Sequence, residues 1–483
     1  MTATLSTSRL FLAVLFIGLL AMAARNVTDP DIWWHLKTGQ YIAEHKAVPH
    51  ADPFSYTRAG QPWVAHEWLT ELLLYEVQRV AGWGGLIVIF AVVLCAAFFL
   101  LYLRCGPAPY VAGLATLLAA WATAPVWGVR PQVVSLLLTS LWLLILERSE
   151  SNSKLLWWTL PLTLLWVNLH AGFALGLALS ALFLAGEWME RALGWSSPQS
   201  GRRLKTAALI LVCNVLLVPL NPSGVRMFWY PIETLRSVAM QNYIAEWASP
   251  NFHRAEYWPC LLVVLGTFAT LSWSSLKVRP RDVLLLVVTL YAGLCSIRMI
   301  PLLVLIAIPL IAERLGNWPL RNSGTRHRHG EIRMVSHGVI VLAMTAFTGI
   351  HIAQVIQRQP QAEAHDFPVG AVTFLATHAV PGAIFNHYDW GGYLIWRLYP
   401  SIPVFIDGRA DLYEKQLLDQ FADTYQFRDD WQHTLQRWSV GTVLVPMDSA
   451  LATGLRSAPG WAVAYEDAQA VVLTRAARAH STK

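Results

Sequence analysis

The sequence predicts a polytopic α-helical membrane protein of about eleven transmembrane helices, with a long first outer loop and a small C-terminal α/β domain. Three observations lead there. Hydrophobic residues make up 55% of the chain and charged ones only 14%, too apolar for a soluble chain of this length. Runs near twenty residues without a charge recur up to about residue 356. The basic residues fall mainly on alternate connections between those runs.

The first run, 9–25, has an N-terminal charge, an apolar core and a small-residue end (AMAA) that also suits a signal peptide. We read it as a retained span, because ten further spans follow and the loop after it needs an anchor. These are 84–103, 108–127, 132–147, 155–169, 172–187, 204–220, 258–275, 282–297, 299–314 and 336–356. With a cytoplasmic N-terminus, the inner connections hold Arg104, Arg148, Lys154, Arg191, Arg202, Arg203, Lys205, Lys277, Arg279, Arg281, Arg314 and the basic linker 316–335. The outer turns hold little beyond Arg130 and Arg298. The asymmetry turns loop 26–83 outward and sends the chain after Gln357 to the same side. Two domains follow: a transmembrane domain over 1–358, including that loop, and an extracytoplasmic tail over 359–483. The expected home is a bacterial inner membrane.

Loop 26–83 gathers Asp29, Asp31, His35, Asp52, His66 and Glu67 among Trp33, Trp34, Trp63 and Trp68. Asp29-Pro30-Asp31 reads as a helix start with Asp29 at the N-cap and proline at the first helical position. After Glu67, the residues Leu69, Leu72, Leu73, Val77 and Val80 form one stripe, the pattern of a helix lying on the membrane surface. The tail shifts to mixed charge. AIFN (383–386), PVFIDG (403–408) and GTVLVP (441–446) read as strands, GGYLIWRLY and EKQLLDQFADTY as helices, and 461–475 as a hairpin around 466–469. The five cysteines lie in or beside apolar segments and outline neither a disulfide frame nor a metal pattern.

Under this topology the unusual polar residues meet at one membrane face. Asp29, Asp31, His35, His66 and Glu67 lie on the first loop and Arg130 at the third-to-fourth turn. Asn168 and His170 share the next outer turn, Glu246 lies on loop 221–257, and Arg298 on the last short turn. Ionisable groups at span ends are costly unless they face water or each other, so this set is the functional candidate. Each member also has a plain structural reading. Asp29 can simply cap its helix, the indoles can form an interfacial belt, and His170 can be a packed histidine. In the tail, Asp407 and Arg409 of the DGR run can be ordinary turn chemistry or can contact substrate.

A first span, a long outer loop opening on an acidic motif, surface helices, many spans and an outer tail together resemble the GT-C superfamily of membrane glycosyltransferases. The runs DPDIWWHLKTGQYI, VPHADPFSYT and QPWVAHEWLTELLLY look like a bacterial, largely uncharacterised GT-C-like group. So do RPQ (130–132), WVNLHAGF (166–173), NPSG (221–224), EWASPNF (246–252), and FNHYDWGGYL with FIDGRADLY (385–413). Asp-Pro-Asp stands where protein mannosyltransferases have an adjacent Asp-Glu, and the WWD-type motif of oligosaccharyltransferases is absent.

The resemblance implies a polyprenyl-phosphate-linked sugar donor and a glycan, lipid or protein acceptor, handled among membrane lipids and without nucleic acid. It makes Asp29 the leading base by position, with Asp31 and Glu67 as alternatives. Transfer to a hydroxyl needs a carboxylate to take the acceptor proton. Arg298, supported by Arg130, suits the anionic leaving group. His35, His66, Asn168, His170, Glu246, Asp407 and Arg409 are expected to contact substrate. No cofactor is assigned; two spaced carboxylates have the chemistry for a divalent cation, but no metal site is assigned. The alternatives are a non-catalytic scaffold and a lipid-linked glycan transporter in envelope assembly. A transporter predicts polar groups at mid-membrane depth and repeated halves, and no repeat is visible.

Overall fold

Proline and glycine frame the helices. The computed structural model describes residues 6–195, 200–317 and 330–476; most of the basic linker at 316–335 lies outside the described residues. Helices occupy Thr7–Ala23, Trp68–Tyr102, Pro109–Thr123, Pro131–Arg148, Thr159–Leu169, Phe173–Ala192, Ser200–Leu217, Trp258–Trp273, Pro280–Cys295, Ile300–Gly316 and Gly330–Asp366. Every expected span therefore falls on a helix. Pro109, Pro131 and Pro280 stand at the first helical turn, where a missing N–H breaks no bond. Among the described residues eight helical segments are long and apolar enough to cross a membrane. Thr7–Ala23, Thr159–Leu169 and Pro280–Cys295 are shorter, at 17, 11 and 16 residues.

The chain divides into two compact units. The first comprises Met1–Arg25, Gly84–Pro231 and Ala245–Gln357; the second comprises Asn26–Trp83, Ile232–Ile244 and Arg358–Lys483. The sequence groups the long first loop with the spans, whereas its contacts group it with the tail.

In the first unit, Ile300–Gly316 packs on Pro109–Thr123, Trp258–Trp273 and Pro280–Cys295. Its apolar stretch is 61% buried, against 11% for the one beginning at Ser336, so the former is a core helix and the latter shows most of its surface outward. The connections expected at the cytoplasmic face pair their charges. Arg104 grips both oxygens of Glu147 at 2.9 and 2.7 Å, Arg279 bridges Glu150 and Glu190, Arg281 also meets Glu150, and Arg203 meets Glu187.

The second unit is built round the helix Ile32–His45, in which Ile32, Trp33, Trp34, His35, Leu36, Thr38, Gly39 and Ile42 are buried. Trp33 seats edge-on to Trp83, Phe367 and Tyr393 at 4.8–5.2 Å between ring centres, an arrangement aromatic quadrupoles favour. The long helix beginning at Trp68 breaks at Gly82, whose φ of 59° belongs to a left-handed backbone that glycine adopts without strain. Before the break the helix is inverted for a globular unit. Glu67, Thr70, Glu71 and Leu74 are buried, while Leu73 and Val80 are 50% and 76% exposed. Of the expected stripe, Leu73 and Val80 face outward, while Leu69, Leu72 and Val77 are half-buried.

The tail sheet contains β1 (Ala383–Asn386), β2 (Val440–Pro446), β3 (Trp461–Glu466) and β4 (Ala470–Arg475) in the order β1-β2-β4-β3. β1 pairs parallel with β2, and the remaining pairs are antiparallel. The expected strand over 403–408 is not one. Val404 makes a single bridge to Ser55, and the Asn386 side chain replaces the rest of a ladder. It accepts from the Phe405 N–H at 2.9 Å and donates to the Ile406 carbonyl at 2.8 Å. The helices Gly391–Leu398 and Ala410–Tyr425 match expectation; Val369–Thr377, Trp431–Arg437 and Ala450–Ser457 are additional.

Candidate active site

In the second unit the helix start expected from Asp-Pro-Asp is displaced: Asp29 is not the N-cap residue, Pro30 lies before the first helical position, and the Asp31 side chain makes no capping hydrogen bond. The regular helix begins at Ile32 with Asp31 at its N-cap position, and Asp29 Oδ1 accepts the Asp31 N–H at 2.8 Å. Asp31 Oδ1 accepts the Trp34 indole N–H at 3.0 Å. Both carboxylates are half-buried. The tail presses directly against this turn, and glycine makes room for it. A side chain at Gly408 would collide with Asp31 Oδ1, and one at Gly392 would come within 2.7 Å of the Pro30 carbonyl. Neither glycine has a positive φ. The GG and DGR runs therefore supply space rather than turn conformation.

Asp407 and Arg409 form a sealed centre with Asp52. Asp407 is 0% exposed, Arg409 2% and Asp52 3%. Arg409 donates from Nε to Asp407 Oδ1 at 2.8 Å and from Nη2 to Oδ2 at 2.7 Å, a bidentate pair. Its Nη1 lies 2.8 Å from Asp52 Oδ1, an ion pair angled away from hydrogen-bond alignment. The Tyr413 hydroxyl donates to Asp407 Oδ2 at 2.5 Å, and Asp52 accepts the Phe54 and Ser55 N–H groups. The guanidinium also lies 4.7 Å over Trp63 and 5.2 Å over Phe54. Burial works against the Arg409 charge, but Asp407 and Asp52 outweigh it and hold the group protonated. Burial, aided by Asp31, Asp407, Asp389 and Asp411, likewise keeps the Tyr388 hydroxyl protonated.

Beside this centre lies a line of acids and imidazoles. His66 Nε2 is 2.6 Å from Glu67 Oε1, and Glu67 Oε2 is 3.9 Å from His35 Nε2. His35 Nδ1 is 3.2 Å from Glu71 Oε1. Burial depresses the proton affinity of His66, yet the Glu67 carboxylate, with help from Asp411 and the Val64 carbonyl, raises it above the usual imidazole range. Glu71 was not among the sequence candidates. Its signal was the EWLTE spacing, which puts Glu67 and Glu71 one turn apart on one helix face.

In the first unit the candidates form two groups. Arg130 pairs with Glu246, whose carbonyl accepts the Ser296 hydroxyl at 2.9 Å, and Arg298 lies 5.9 Å over the Trp247 ring. Arg130, Glu246 and Arg298, far apart in sequence, are thereby linked through one short stretch of backbone. On the neighbouring turn His170 Nδ1 accepts the Gly172 N–H at 2.8 Å and meets Ser135 Oγ at 2.7 Å. A neutral ring with an accepting Nδ1 keeps its proton on Nε2. Asn168 Nδ2 donates to the Leu164 carbonyl at 2.9 Å. Among the described residues no three His, Cys, Asp or Glu side chains converge as metal ligands.

Solved structures share this architecture. The chain superposes on the oligosaccharyltransferase AglB from Archaeoglobus fulgidus, in complex with an inhibitory peptide and a dolichol-phosphate, with a TM-score of 0.56 at 11% identity; the match covers 91% of this chain and 69% of that one. ArnT from Cupriavidus metallidurans bound to undecaprenyl phosphate gives 0.53 at 12% identity, over 97% and 98% of the two chains. The chain has the GT-C fold. The mycobacterial arabinofuranosyltransferase AftD shares it too, with a TM-score of 0.53 at 15% identity over 99% of this chain, which spans 40% of AftD. No protein-family model and no curated protein matches the sequence. In this GT-C fold the Asp-Pro-Asp turn follows the first helix, as the sequence resemblance implies.

Proposed function

We propose that this chain is a glycosyltransferase that moves a sugar from a polyprenyl-phosphate-linked donor to an acceptor hydroxyl on the outer membrane face. The observation that carries the reading is the end-to-end GT-C fold, shared over 97% of the chain with ArnT bound to undecaprenyl phosphate. The chain would sit in the inner membrane with its N-terminus in the cytoplasm and its tail outside, and take a glycan, lipid or protein as acceptor.

Asp29 is the base. Its Oδ1 accepts the Asp31 N–H at 2.8 Å, which orients the carboxylate. As the acceptor oxygen bonds to the anomeric carbon, its proton passes to Asp29 and the C–O bond to phosphate breaks, leaving its electron pair on the lipid phosphate. The family resemblance assigns that charge to Arg298, with Arg130 in support. Asp407 and Arg409 act by holding the loop rather than by touching substrate, because burial leaves them no open surface. The test is release of polyprenyl phosphate from a panel of polyprenyl-phospho-sugars by the purified full chain. Asp29→Asn should lower transfer by about 10²–10⁴-fold and leave folding intact, since the asparagine Oδ1 can accept the same Asp31 N–H. Full activity in that variant removes Asp29 as base. Release from no donor removes the catalytic reading and leaves a scaffold.

A further inference from the structure

A buried helix face is normally apolar, yet the segment from Glu67 to Leu74 turns two glutamates inward and leaves Leu73 outside. His35 lies between them, 3% exposed, with Glu67 at 4% and Glu71 at 1%. The helices approach closely here: a side chain at Gly39 would collide with the Glu71 carbonyl. The four groups follow one another at 2.6, 3.9 and 3.2 Å from His66 to Glu71.

Charge decides how the protons are arranged. With both carboxylates ionised and both imidazoles neutral, a water-poor site would carry two negative charges a helical turn apart, which burial forbids. His66 Nδ1 faces the Val64 carbonyl at 3.3 Å, so it is the donor there, and the mobile proton lies between Nε2 and Glu67. One more proton restores neutrality, and Glu71, the more buried of the two glutamates, holds it. Burial and the Glu67 charge both raise its proton affinity, while Arg409 opposes them from a distance. Arg409 is itself committed to Asp407 and Asp52, and Asp411 is the other charge facing His66.

We propose that Glu71 is a positioning residue: neutral, and donating to His35 Nδ1, it fixes that imidazole with its proton on Nε2 toward Glu67, and so keeps Glu67 as the ion-pair partner of His66. The polarity is the reverse of the pair in which an ionised carboxylate accepts the histidine Nδ1–H: here the protonated carboxyl donates and Nδ1 accepts. His35 lies in the first turn of the helix Ile32–His45 that follows Asp29, so the arrangement holds the helix next to the proposed base. This rests on the glycosyltransferase reading only where activity is the readout.

Glutamine mimics the neutral acid, which makes the test specific. In the full chain, Glu71→Gln should keep transfer near neutral pH within about threefold of wild type, while Glu71→Ala loses at least about tenfold through misplacement. Above the pH at which Glu71 ionises, the wild type should fail and Glu71→Gln should remain several-fold more active. A merely structural Glu71 gives superimposable pH profiles, and that result overturns the proposal. Infrared spectroscopy supplies a readout independent of transfer: the wild type should show a protonated-carboxyl band at neutral pH that Glu71→Gln lacks. Absence of the band overturns the proposal. Should no donor be turned over, the glycosyltransferase reading fails, and the infrared band still decides this one. Should Glu71→Gln not fold, disappearance of the wild-type band with rising pH takes its place, and a band that does not titrate overturns the proposal.

Discussion

Two arginine–carboxylate centres in this chain look alike in sequence and differ in what surrounds them. Arg130 and Glu246 are paired with side chains 16% and 25% exposed, whereas Arg409 and Asp52 are 1% and 0% exposed. The first is part-exposed and joins Arg130 to Glu246. The second has Asp407, Asp52, Tyr413 and two aromatic faces, and no solvent. Attraction between exposed charges is weak and replaceable, while a buried charge that loses its partner is stranded. The Arg130 pair therefore suits exchange with an incoming anion, and the Arg409 centre suits permanence.

The largest expected effect comes from stranding a charge in the sealed centre. Arg409→Met leaves Asp407 and Asp52 facing each other without a cation, and should cost about 3–5 kcal/mol. Thermal unfolding in detergent should show the loss with donor absent, so that stability is read apart from activity. A variant as stable as wild type would mean that the centre is not what joins loop to tail.

Gly408→Ala tests the same junction more gently. The new methyl meets Asp31 Oδ1, so Asp31 must turn and give up the Trp34 indole. Overpacking of this kind costs about 1–3 kcal/mol. Transfer should fall about tenfold or more, as expected when a reacting group is displaced. Stability lost with activity kept would separate the turn from the chemistry.

The helices of both units were readable because apolar runs and N-terminal prolines act locally. The strand expected over 403–408 was not, because its backbone partners are the side chain of Asn386 and the distant loop at Ser55. The role of DGR was hidden for a related reason. Asp and Gly in a loop usually mark a turn, and only the fold reveals that Gly408 is small to admit Asp31 and that Arg409 reaches Asp52. Glu71 sat in plain view as the second acid of EWLTE, masked by the leucines around it. Local signals survive in one sequence; the partners of a buried charge do not.

The His66 line predicts a slope rather than a loss. His66 and Glu71 both bind protons more tightly folded than unfolded. Stability from His66 is thus complete below the ordinary imidazole value of about 6.5 and is lost as pH rises through its raised folded value. The Glu71 contribution has the same sign and begins at lower pH, above the usual carboxylate range of about 4. Unfolding midpoints of the second unit should therefore fall from mildly acid to alkaline pH, by at most about 1.4 kcal/mol per unit for each proton. His66→Gln should flatten the upper part of that slope. A midpoint rising with pH over the same range would reverse the assigned protonation.

The smallest effect is expected at the exposed pair, and it is the one that most sharpens the contrast. Glu246→Gln removes the carboxylate from Arg130 but keeps the backbone carbonyl that accepts from Ser296. An exposed ion pair is worth about 0–1 kcal/mol, so the unfolding midpoint should barely move. If Arg130 must exchange Glu246 for the donor phosphate, removing the competitor lowers KM for the donor by up to about fivefold, the equivalent of that same 1 kcal/mol, with kcat little changed. A raised KM would make Glu246 a substrate contact instead of a competitor. A loss of stability on the scale of Arg409→Met would show that partial exposure does not distinguish the two centres after all.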